Sequence, residues 1–215
     1  MKTIALFGGS GGLGSQLAPL LENKYKVVII SSSDVDVRLL DKLEDFFNNN
    51  EIDIVINLSG YNFDSFIHKI NDENEINNMI DINIKGNINI LSKSLPKMRE
   101  RKYGRVILIS SVLSCENIAG TSLYSASKSF IDKFVKIASV ENISKGITCN
   151  SIQLGYFDGG MCHRLPEKIV DIVKGSIGLN RWGSIEELYK TIDYLIETEY
   201  ITGQNIRIDG GFKGF

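Results

Sequence analysis

Six short apolar runs punctuate the chain: TIALF at 3–7, KVVIIS at 26–31, IDIVINLSG at 52–60, RVILISS at 105–111, ITCNSIQ at 147–153 and NIRIDGG at 205–211. They are rich in Ile and Val and mostly lack polar alternation, the pattern of strands in a parallel sheet covered on both faces. Between most of them lie stretches with apolar residues at three- and four-residue intervals: LGSQLAPLLENKY, RLLDKLEDFFNNN, NEINNMIDINIKGNINILSKSLPKMRE, SLYSASKSFIDKFVKIASVENIS and SIEELYKTIDYLIE. Each reads as a helix with one buried face. Strand and helix alternate almost throughout, which predicts a doubly wound α/β fold with a mostly parallel sheet.

Two features disturb the pattern. Pro19 falls early in the first helical stretch, where it removes a backbone donor, so a kink or a late helix start is expected. After KVVIIS only two serines precede DVDV at 34–37. That is too little chain for the helix that parallel neighbours need, and DVDV reads as a vestigial strand or a loop crossing the carboxyl edge of the sheet.

The chain's 215 residues, 43% hydrophobic, fit one substantial core, and a single domain over 1–215 is expected, with a short substrate loop near 156–179. Lys and Arg number 24 against 26 Asp and Glu, a formal charge of -2. Nothing global therefore attracts nucleic acid or an anionic membrane. Cys115, Cys149 and Cys162 are widely spaced, and with His68 and His163 they form no metal-ligand pattern, so reduced thiols and no metal are expected. The N-terminus turns glycine-rich after a few apolar residues, unlike a signal peptide or a membrane span, and the cytoplasm is the expected location.

Candidate chemistry begins at the first turn. FGGSGGLG places Gly8, Gly12 and Gly14 between the first strand and the first helix. Glycines there permit a tight turn and a close backbone approach to a pyrophosphate, while the helix N-terminus offers unpaired N–H donors. A glycine loop alone is weak, but the strand-turn-helix setting favours a dinucleotide site over an incidental turn. Farther on, Tyr124 and Lys128 stand four residues apart with only small residues between them, which on a helix puts a phenol and an ammonium on one face. An ordinary amphipathic helix explains such a pair equally well when it is taken by itself.

Together these motifs resemble the short-chain dehydrogenase/reductase family. Its TGxxxGxG pattern is similar to the turn at Gly8, Gly12 and Gly14, with Phe7 in place of threonine. Its NNAG motif resembles NLSG, where Asn57 and Gly60 match and Leu58 and Ser59 depart. Asn83 in DINIKG, Ser111 in ISSV and the pair Tyr124 and Lys128 match its catalytic set, in the same order. Arg181, Trp182 and Gly183 with the closing ITGQ and DGG resemble its C-terminal stretch. Leu154 stands where proline is usual before Gly155, and Gly159 where a threonine often meets the nicotinamide amide.

The resemblance implies a Rossmann fold and an NAD(P)-dependent oxidoreductase interconverting a ketone and a secondary alcohol, with a 3-oxoacyl thioester as one substrate class. Tyr124 exchanges the proton, Lys128 lowers the phenol's pKa and holds the ribose, Ser111 binds the reacting oxygen, and Asn83 positions a relay water. Cofactor contacts are expected from Ser10, Gly11, Leu13, Ser31, Ser32, Asp36, Val37, Asn57, Leu58, Ser59, Gly60, Gly155 and Phe157, besides the motif glycines, Tyr124 and Lys128. The serines after the second strand favour NADP over NAD, although no arginine stands immediately beside them. Cys162 and His163 read as parts of a variable substrate-side loop and Arg164 as a solvated side chain. A homodimer or homotetramer is expected through the long helices around 75–98 and 123–143. A non-catalytic NAD(P)-sensing protein of the same fold is the alternative.

Overall fold

The structure is a computed structural model describing residues 1–159, 162 and 167–214. Its strands are β1 (Thr3–Phe7), β2 (Lys26–Ile30), β3 (Ile54–Asn57), β4 (Gly104–Ser111), β5 (Ile147–Leu154) and β6 (Asn205–Ile208). They form one parallel sheet in the order β2-β1-β3-β4-β5-β6. The helices are α1 (Gly14–Glu22), α2 (Leu40–Asn49), α3 (Glu73–Ile80), α4 (Gly86–Arg101), α5 (Ser122–Asn142), α6 (Glu167–Ser176) and α7 (Ile185–Glu197). All six predicted strands are present.

The four inner strands β1, β3, β4 and β5 bury both faces, which is why their sequences do not alternate as those of one-sided strands do. On β1, Ile4 and Leu6 pack with Leu17 and Leu21 of α1 and Leu188 and Ile192 of α7. Ala5 and Phe7 point the other way, onto Phe47 of α2, Ile90 of α4 and Val135 of α5. Each fully buried Ile, Leu or Phe contributes about 1.5–3 kcal/mol. Two apolar layers on one sheet therefore supply the main driving force.

Of the two readings of residues 34–37, the loop is the one found: they form no strand, β2 is an edge, and the chain crosses the carboxyl end of the sheet to reach α2. Two other outcomes differ from the sequence pattern. Pro19 lies inside α1, which starts at Gly14 and not late. The stretch 156–179, expected as a loop, contains α6. A third matters for the site: the long helix anticipated over 74–100 is interrupted by a π-turn at Asp81–Lys85.

The order β2-β1-β3 means that the connections leaving β1 and β3 diverge. The crevice outside the carboxyl ends of those strands is where ligands bind in such sheets. Gly8 lies in it, with φ of +72°, and a Cβ there would come within 2.8 Å of the Ser59 nitrogen. Only glycine lets the first turn lie against the segment after β3.

Candidate active site

The glycine turn closes on itself. The Gly11 nitrogen donates to the Gly8 carbonyl (3.0 Å), and the Ser15 nitrogen reaches back to the Gly11 carbonyl (2.8 Å). A Cβ on Gly14 would stand 2.3 Å from the Gly8 oxygen and 2.6 Å from the Gly9 Cα. No side chain fits between the turn and α1. Beside this turn runs a cleft of about 340 Å³ lined by Gly8, Ser10, Gly11, Ser31, Ser32, Asp36, Val37, Ser59 and Gly60 among the expected contacts. Arg38 also lines it. Its guanidinium grips both Asp36 carboxylate oxygens at 2.7–3.0 Å, holding that carboxyl below its usual range. No arginine follows the serines directly in sequence, but Arg38, two residues after Asp36, lines the same cleft as Ser31 and Ser32.

At the end of β2, the Asp34 carboxylate accepts from the Ser31 nitrogen (2.9 Å) and hydroxyl (2.5 Å). Ser31 and Ser32 thus frame the cleft with an acid folded against them. Gly12 and Leu13 face Gly159. Gly155 packs against Asp209, and the Phe157 ring is buried against Gly183. Phe157 lines a second cavity, of about 280 Å³, with Tyr156, Arg181 and Arg207, and does not line the glycine-turn cleft. His163 and Arg164 lie outside the described residues.

Asn83 sits in the π-turn and is fully buried. Its Oδ1 accepts from the Tyr61 nitrogen (2.8 Å), and its Nδ2 donates to the Tyr61 carbonyl (2.8 Å) and to the Ser127 hydroxyl (3.0 Å). The π-turn is a common functional distortion; here it carries an amide that locks the segment after β3 to α5. A residue missed in the sequence extends the lock. Asn87 donates to the Asn83 carbonyl (2.7 Å) and accepts from Asn57 Nδ2 (2.8 Å), while Asn57 Oδ1 accepts from the Ser59 nitrogen (2.9 Å). The asparagine one turn after Asn83 was its only sequence signal.

On α5 the buried stripe runs through Tyr124, Ser127, Lys128, Ile131, Asp132 and Val135. Lys128 Nζ donates to the Ile109 carbonyl (3.0 Å) and lies 5.6 Å from the Tyr124 ring centre. A Cβ on Gly60 would stand 3.5 Å from that ammonium and 3.7 Å from Asn83 Oδ1, so the cleft-lining Gly60 lies directly beside both buried groups. Ser111 ends β4, its hydroxyl accepting from the Leu113 nitrogen at 3.2 Å.

Burial pushes the Tyr124 phenol up to about 12, against a smaller opposing effect of its Ser111 hydrogen bond, and the Asp64 carboxylate and Tyr156 add to the rise. Burial drives the Lys128 ammonium down to about 8, partly offset by Asp132. Burial dominates the influences on the phenol, and a lowering by Lys128 is not among them. The ammonium is burdened by its own desolvation, and the phenol holds its proton tightly at neutral pH.

A family model described as enoyl-(acyl carrier protein) reductase matches residues 15–213. The chain belongs to the short-chain dehydrogenase/reductase family. It is 30% identical over 232 residues to the 3-oxoacyl-[acyl-carrier-protein] reductase FabG of Rickettsia felis, covering 98% of this chain and 96% of that one. It is 29% identical over 235 residues to carbonyl reductase family member 4 of Xenopus laevis, covering 99% and 98%. The solved structure of ElxO with NADP bound superposes with a TM-score of 0.89 over 98% of both chains at 22% identity. This short-chain dehydrogenase/reductase is accordingly an oxidoreductase with a Rossmann fold, and none of its described helices is long and apolar enough to cross a membrane.

Proposed function

We propose that this enzyme reduces a ketone to a secondary alcohol with NADPH, Tyr124 supplying the proton. The support for this reading is that Tyr124, Ser111, Lys128 and Asn83 lie close together, with the cleft-lining Gly60 beside the Lys128 ammonium and Asn83, and that the turn at the other side of the cleft is held by Gly8 and Gly14, which leave no room for a Cβ. That bare turn fits a pyrophosphate, which must approach backbone N–H groups closely. Gly8, Ser10, Gly11 and Gly12 would hold the phosphates, Ser59 and Gly60 the nicotinamide side, and Lys128 the adjoining ribose. Ser31, Ser32 and Arg38 frame the adenosine end, where the guanidinium favours an additional phosphate. ElxO, with its bound NADP, supports this choice of dinucleotide. When bound, the reduced nicotinamide supplies the hydride.

The chain's own groups do the rest. A phenol at about 12 is protonated at pH 7, so it is ready to donate to a carbonyl oxygen that is gaining charge. Ser111, beside that phenol, offers the same oxygen a hydrogen bond. Lys128 brings a positive charge within reach of the phenolate that donation leaves behind. The Asn83 amide, spent on Tyr61 and Ser127, fixes the distance between the segment after β3 and α5, so its role is positional.

The relatives named 3-oxoacyl reductase and carbonyl reductase support a carbonyl substrate, with a 3-oxoacyl thioester as the first candidate. Assembly as a homodimer or homotetramer is supported by the exposed apolar residues Ile88 on α4 and Ile137 and Val140 on α5. The test is NADPH consumption with a panel of ketones and 3-oxoacyl thioesters, followed at the nicotinamide absorbance. Turnover of one substrate with NADPH is expected. Tight NADPH binding without turnover of any ketone would favour the sensing protein instead.

A further inference from the structure

Beyond Lys128 the buried face of α5 continues one turn to Asp132, a carboxylate only 7% exposed. Its neighbours on the stripe, Ile131 and Val135, are apolar. An ionised carboxylate in that position is costly unless it is fully hydrogen-bonded, and here three donors converge on it from two other elements. Ser114, in the turn after Ser111, donates its hydroxyl to Asp132 Oδ2 at 2.5 Å. From β5, Ser151 donates to Oδ1 at 2.9 Å and Gln153 to Oδ2 at 2.7 Å. The grip on the turn is double, because the Ser114 carbonyl also accepts from the Ser129 hydroxyl on α5 (2.7 Å).

We propose that Asp132 is a positioning residue of the active site, clamping the turn that follows Ser111 onto α5 and keeping a fixed negative charge one helical turn from the Lys128 ammonium. This rests on the reductase reading above for its functional meaning. The geometry gives the carboxylate two tasks that an apolar residue cannot perform. By holding Ser114 it sets where β4 ends, and so where the Ser111 hydroxyl meets the Tyr124 phenol. By its charge it opposes the desolvation that drives Lys128 toward neutrality.

Other ionisable groups surround the pair. Tyr124 lies on the same helix, with Asp64 after β3 and Tyr156 after β5 facing it. On the sheet side Arg207 of β6 is in register with Gln153 and is paired with Glu116 at 2.8 Å and Asp209 at 2.5 Å. The Cys115 thiol accepts from Gln153 at 3.1 Å. The influences acting on Lys128 itself are its burial and Asp132.

The direct test follows the Lys128 side chain by NMR in lysine-labelled protein as pH is raised, with its resonance assigned by its loss in Lys128→Met. Asp132→Asn keeps the shape and removes the charge. The Lys128 midpoint is expected to fall by about one pH unit, and the alkaline limb of NADPH-dependent turnover to fall with it, a loss of about fivefold at pH 8. Ser114→Ala keeps the charge and should lower turnover without moving the midpoint. If Asp132→Asn does not fold, the double change Asp132→Ala with Gln153→Leu removes the carboxylate together with the amide it would strand, and the same fall is expected. A Lys128 midpoint unchanged in the neutral variant overturns the proposal. Failure of the reductase reading shows separately, as absence of turnover in the unaltered enzyme, and leaves the NMR readout intact.

Discussion

Gly14→Ala is the smallest change that tests the glycine turn. The added methyl would sit 2.3 Å from the Gly8 oxygen, 2.6 Å from the Gly9 Cα and 2.8 Å from the Gly9 carbonyl carbon. All three are backbone atoms, and an ordinary contact begins about 1 Å farther out, so no flexible side chain can yield. Overpacking of this kind costs about 1–3 kcal/mol, and the backbone location places the cost near the upper end. For a chain of this size about 3 kcal/mol lowers Tm by roughly 6–12 °C. The strain is relieved only by moving the turn away from α1, which displaces the N–H groups offered to the phosphates. NADPH affinity should therefore fall at least about tenfold, equivalent to about 1.4 kcal/mol. Thermal melts and a fluorescence titration of NADPH read the two effects. Gly11→Ala is the control, since its Cβ would meet only the Gly8 oxygen, at 3.2 Å. A Gly14→Ala protein that melts and binds NADPH like the unaltered chain would refute the argument.

Arg38→Ala should weaken NADPH binding about tenfold while leaving NADH binding nearly unchanged, since the guanidinium serves the extra phosphate; equal losses for both cofactors in parallel titrations would contradict this. Arg105→Met removes a buried guanidinium that donates to the carbonyls of Ile196 (3.1 Å), Gly104 (2.9 Å) and Gly146 (3.2 Å). With three acceptors stranded, a loss of about 2–4 kcal/mol is expected in urea unfolding, with the cofactor affinity of the folded protein retained.

The alternating fold was legible because the inner strands are buried on both faces and each long helix carries a buried stripe. Those are averages over many side chains, and single exceptions such as Pro19 do not upset them. The glycine turn and the Tyr124 and Lys128 pair were legible for a different reason, since both depend on short spacings fixed by backbone geometry. What the sequence hid depends on tertiary placement. The π-turn at Asp81–Lys85 has no local signature, because the extra residue is accommodated by Asn83 bonding to Tyr61, 22 residues away. Arg38 reaches the cleft only because residues 34–37 form a loop and not a strand. The depressed Lys128 and raised Tyr124 follow from burial, which a spacing of four residues does not report.

The central claim is that Tyr124 gives up a proton while Lys128 supports the charge left behind. Tyr124→Phe deletes the hydroxyl and keeps the ring within the packed stripe of α5. Once a substrate is in hand, turnover with NADPH should fall about a hundredfold to ten-thousandfold, the usual worth of a positioned proton donor, with the NADPH dissociation constant near that of the unaltered enzyme. Lys128→Ala in the same assay should lose turnover and cofactor affinity together. A Tyr124→Phe enzyme that reduces its ketone at close to the normal rate would contradict the mechanism directly.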